Sequence, residues 1–104
     1  MDKSKLKQLY SNFLLLPFPL SEGHKKAAIW IAELAEVDGY YAGLAESLIM
    51  DRAISVKELP SLKPLSTSLK KIQHEPGINE NRYDEYKLYL SSLVKLAKEI
   101  EKVI

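Results

Sequence analysis

The stretch YDEYKLYLSSLVKLAKEIEKVI, residues 83–104, decides the fold class. Tyr83, Tyr86, Leu90, Leu93, Ala97, Ile100 and Ile104 recur at alternating spacings of three and four. Successive residues of an α-helix advance by about 100° around its axis, so this rhythm lines them up on one face. Tyr89, Leu96 and Val103 widen that stripe to about half the circumference. Asn79 or Asn81 supplies an N-cap, and Asp84 and Glu85 suit the positive end of the helix dipole. At ~1.5 Å per residue the helix is about 33 Å long, enough to span the domain.

Upstream, Leu65, Leu69 and Ile72 carry a shorter helical stripe, which Leu62 extends backward. Pro64 fits its first turn, and His74-Glu75-Pro76-Gly77 ends it. Between Ser55 and Lys63 the chain is irregular. Ser55-Val56-Lys57-Glu58 has the form of a capping box, yet Pro60 and Pro64 leave room only for a short helical turn.

Before that, Ser21 reads as an N-cap and Glu22 as its dipole partner. From Ala27 to Val37 the apolar residues sweep well over half the wheel, which predicts a central helix touched by several neighbours. Four alanines, Ala27, Ala28, Ala32 and Ala35, would let those neighbours approach. Asp38-Gly39 reads as a stop, followed by a third helix from Tyr40 to about Ile54; a single helix bent at Gly39 is the alternative. The first helix covers Asp2 to Leu16 through Leu6, Leu9, Phe13 and Leu16, and Pro17 stops it. Phe18 and Leu20 are then expected to plug into the core from a short extended link.

No segment alternates with period two, and no repeat is visible. The sequence therefore predicts an all-α fold: a four- to five-helix bundle, one domain over residues 1–104, with a long C-terminal helix.

Composition fits that reading. Of 104 residues, 46% are apolar and 28% charged, an ordinary globular balance that argues against wholesale disorder. Fifteen basic against fourteen acidic residues imply no strongly charged partner. With no cysteine, disulfides and thiolate chemistry are excluded. No apolar run reaches the roughly 18–20 residues that cross a bilayer. Lys3, Lys5 and Lys7 before Phe13–Leu20 crudely imitate a signal peptide, but the apolar part is short and holds two prolines. A cytoplasmic address is expected, with no membrane partner.

The near-zero net charge hides a polarity. Residues 27–51 hold five acids and no lysine or arginine, whereas residues 52–74 hold five bases against Glu58. Either the two rims attract within the fold, or they orient a partner.

Four groupings bear on chemistry. His24, Lys25 and Lys26 at a helix start form a candidate anion site, because free amides, the dipole and two cations converge there. Glu33, Glu36 and Asp38 with Tyr40 and Tyr41 are either an acidic rim or a pair of carboxylates for acid–base work. Lys57, Lys63, Lys70, Lys71 and His74 make a modest basic strip, but the segment fits a DNA-recognition helix poorly, so no nucleic acid is expected. Tyr83, Tyr86 and Tyr89 open the long helix; with Leu93 and Leu96 they either cap the core or form a candidate surface for a partner or a second copy.

No nucleophile elbow, phosphate-binding glycine loop or dinucleotide fingerprint is present, and the two histidines stand fifty residues apart. The expectation is a non-enzyme without cofactor or metal that binds another protein, as an adaptor, a regulator, or an immunity- or antitoxin-like protein, either as a single copy or after pairing with itself. The alternative is a ligand-binding or enzyme-accessory bundle with a pocket lined by Trp30, Tyr41 and the late tyrosines.

Overall fold

The structure is a computed structural model that describes residues 3–56 and 58–104. Asp2, the expected start of the first helix, and Lys57, part of the expected basic strip and capping box, lie outside them. Four helices make up the fold: α1 (Ser4–Leu14), α2 (Lys25–Ile49), α3 (Lys63–Ile72) and α4 (Glu80–Val103). No strand occurs among the described residues, and none of the described residues between Arg52 and Ser61 is helical, so the short fifth helix is not formed.

The main departure from expectation is α2. Asp38-Gly39 does not stop it: the helix runs unbroken for 25 residues and is one residue longer than α4. Its buried residues explain this. Ala27, Trp30, Leu34, Tyr41, Ala45 and Leu48 keep helical register straight across Gly39, so packing on both sides holds the backbone helical. Gly39 has no positive φ, and nothing lies within 4 Å of where its Cβ would be. The real stop comes at Met50. Asp51 adopts φ 54°, its amide bonds the Leu48 carbonyl, and the Arg52 amide reaches back to the Ser47 carbonyl. That is the Schellman arrangement, with aspartate where glycine is usual. Lys3 bonds the Leu48 carbonyl at 2.5 Å and pairs with Asp51, placing a cation at the negative end of α2.

The start of α2 also differs. His24, not Ser21, is the N-cap: its Nδ1 accepts from the Ala27 amide at 3.2 Å. Glu22 and Gly23 turn through positive φ, which leaves Ser21 one turn too early, and the Ser21 carbonyl accepts the His24 amide instead. At α4 the expected Asn79 cap forms, accepting from the Arg82 amide at 2.8 Å.

α2 and α4 touch each other and both remaining helices, while α1 and α3 do not touch. α1 runs antiparallel to α4, with Lys5 near Glu99 and Phe13 against Tyr89. The core is one apolar cluster from all four helices, with no buried charged or polar residue among those described. Leu65, Leu69 and Ile72 enter it from α3 as their spacing predicts, as do Leu6 and Phe13 from α1. On α4 the stripe holds from Tyr86 through Ile100, while Ile104 is half exposed.

Two local expectations fail. Ala28, Ala32 and Ala35 face solvent, so no neighbour comes close over them. In the 17–20 link Pro19 is buried, while Leu20 is exposed and Phe18 only edges against Tyr89.

Candidate functional site

The tyrosines of α4 lie inside the bundle rather than on a free surface. Tyr86 is 1% exposed and Tyr89 6%, while Leu93 and Leu96 are wholly buried. Tyr83 alone stays half-buried. These rings cap the core because their polar tips find partners at its edge. The Tyr86 hydroxyl donates to the Leu20 carbonyl at 2.7 Å, and Tyr89 donates to Asp38 at 2.8 Å. Trp30 and Tyr41 behave alike, donating to the carbonyls of Leu65 and Pro60 at 2.9 and 2.5 Å. Each large ring thus fills volume and pins a distant segment. Trp30 packs on Tyr86 with ring centroids 5.3 Å apart, and it also lines a groove of about 250 Å³ between α2 and α3.

The acids of α2 do not assemble. Glu33 and Glu36 are exposed, and only Asp38 is half-buried. Loss of hydration pushes the Asp38 carboxyl above the usual range, and the Tyr89 hydroxyl partly offsets this by bonding the ionised form. Burial and the Asp38 charge together push the Tyr89 hydroxyl well above its ordinary value. Tyr40 packs edge-on to Tyr41 and remains exposed.

At the expected anion site, His24 and Lys26 have partners within the chain. Because Nδ1 of His24 accepts, its Nε2 carries the proton and donates to the Pro76 carbonyl at 2.9 Å. Lys26 pairs with Glu75 at 2.5 Å. The motif latches the start of α2 to the α3–α4 turn, and Lys25 is left exposed. Among the described residues no ion pair joins Glu33, Glu36, Asp38 or Glu46 to the bases of residues 52–74.

The structure brings together a different set. Between α3 and α4 lies an open trough of about 370 Å³. Leu69 and Leu90, both buried, and the half-buried Tyr83 and Val94 form its floor. Lys70 on α3 and Lys87, Lys95 and Lys98 on α4 form its rims, and no acid lines it. None of these four lysines makes an ion pair among the described residues. The groove between α2 and α3 differs, since Glu33 and Glu75 line it beside Lys26 and Lys71. Of the expected partner surface, only Tyr83 belongs to the α3–α4 trough.

The signal for the trough was present in the sequence. Lys87, Ser91, Lys95 and Lys98 are spaced four, four and three apart, a basic row flanking the apolar stripe. A second apolar surface lies at the α1–α2 link, where Leu14, Leu15, Leu20 and Leu88 are exposed. No helix among the described residues is long and apolar enough to cross a membrane. Comparison with protein-family models, curated proteins and solved structures finds no match to this chain.

Proposed function

We propose that the chain is a non-catalytic helical bundle that acts by binding another protein. The α3–α4 trough carries this reading, because it combines a partly exposed apolar floor, open at Tyr83 and Val94, with four unpaired cations. Apolar floor supplies affinity on burial, and unpaired charge at a rim supplies orientation and rate of encounter. In the free protein the lysines remain hydrated and neutralise nothing, so an oppositely charged surface gains from meeting them.

The test is affinity capture from the native host with the wild-type chain and with a Lys87→Glu/Lys95→Glu variant. Both lysines are exposed, so the variant should fold normally, which circular dichroism checks. The reading expects at least one protein held by the wild type and lost by the variant. Identical sets of captured proteins would refute it.

A further inference from the structure

We infer that the occupant of the α3–α4 trough is an acidic amphipathic helix about four turns long, docked as an additional helix of the bundle. The inference rests on the binding reading above and adds the chemistry of the partner. Its basis is charge complementarity together with helical geometry.

The trough is built from rows with helical period. Tyr83, Leu90 and Val94 follow at seven and four along α4, and Leu69 faces them from α3. These are the spacings of a helix–helix seam. Beside them runs the row of Lys87, Lys95 and Lys98, and Lys70 stands on the opposite rim. A helix whose apolar residues point down and whose acids flank them on both sides satisfies floor and rims together. From Tyr83 to Lys98 the trough covers about 22 Å at ~1.5 Å per residue, the length of a 15-residue helix.

α3 has 10 residues and α4 has 24, so α3 flanks only part of the length of α4, whose other contacts are with α1 and α2. The basic tract continues past the trough: a smaller groove of about 300 Å³ shares Lys95 and Lys98 and adds Lys5 and Lys102. There Glu99 already lies near Lys5 at 3.9 Å and Lys102 at 3.8 Å. The unneutralised part is therefore the trough itself, and this sets the register of the occupant. An extended nucleic-acid strand would meet the lysines and could stack a base on Tyr83, but the aliphatic floor of Leu69, Leu90 and Val94 offers no further stacking platform.

The probe is a labelled 16-residue peptide with leucine at helical a and d spacing, glutamate on both flanks and blocked ends. Its binding to the full chain is followed by fluorescence anisotropy and by amide shifts. Micromolar binding is expected, with shifts centred on Leu69, Leu90 and Val94. Affinity should fall at least ten-fold in the Lys87→Glu/Lys95→Glu variant and at 0.5 M salt. A scrambled peptide of equal composition and a lysine-flanked version should both bind at least ten-fold more weakly.

Equal binding of the scrambled peptide, no binding, or shifts elsewhere overturns the inference. So does tighter lysine-dependent binding of a single-stranded oligonucleotide or of phosphatidylserine vesicles. If the peptide fails while a host protein is still captured in a lysine-dependent way, the occupant class falls and the binding reading stands. If the peptide binds and no host protein is captured in that way, the binding reading fails instead.

Discussion

Removing the Tyr86 hydroxyl separates the two jobs assigned to the α4 rings. The ring is 1% exposed and packs on Trp30, while the hydroxyl holds the Leu20 carbonyl. Tyr86→Phe deletes only the bond, which costs about 1 kcal/mol for a part-buried pair. In a chain of this size that lowers Tm by about 4–8 °C. Tyr86→Ala also empties the ring's volume and breaks the aromatic pair, at about 3–5 kcal/mol. That is a large share of the roughly 5–15 kcal/mol a domain has. Trp30 is the chain's single tryptophan and is buried, so its fluorescence during urea unfolding reports both values. Hydrogen exchange adds a local readout, because the Tyr86→Phe loss should concentrate at residues 20–24. A Tyr86→Phe variant as stable as wild type would show that the link is not pinned through this hydroxyl. An alanine variant losing less than about 1.5 kcal/mol would contradict the packing itself.

Three further outcomes follow from backbone and charge. Gly39→Ala should stabilise by about 0.5–1 kcal/mol, since the site is mid-helix and open; a loss in chemical denaturation would mean that α2 breaks there. Gly77→Ala should destabilise by about 1 kcal/mol or more, because Gly77 has φ 90° and a Cβ there would sit 3.2 Å from the His24 ring; unchanged Tm would refute the close approach. The Asp38 carboxyl is raised in the folded state by burial, so the fold binds its proton more readily than the unfolded chain does. That contribution lowers stability as pH rises from the ordinary carboxylate value through the raised one. Asp38→Asn, which still accepts from Tyr89, should be more stable than wild type at pH 7, and the difference should shrink in acid. Equal urea midpoints at both pH values would remove this account.

The helical class and most core positions were legible because burial follows period. Leu65, Leu69 and Ile72, and α4 from Tyr86 to Ile100, needed only spacing. At Asp38-Gly39 turn chemistry points to a stop and register to one continuous helix, and the continuous helix is what forms. Leu34, Tyr41 and Ala45 already stood seven and four apart across the glycine. His24 as a cap was not legible, since its role depends on the Glu22-Gly23 turn and on Pro76, 52 residues away. The tyrosines were ambiguous for a physical reason. A phenol suits a core edge and an interface equally, and only the position of an acceptor such as the Leu20 carbonyl decides between them. The trough needed α3 beside α4 before a row of lysines became a rim.

The bare outer row of α2 has a practical consequence. Ala28, Ala32 and Ala35 project into solvent from a rigid rod, and the chain contains no thiol of its own. A cysteine introduced at Ala32 would be a unique attachment point for a dye or spin label, with the core left untouched. Paired with a second label on α4, it turns the spacing of the two long rods into a ruler that reads whether an arriving guest spreads them or leaves the scaffold still.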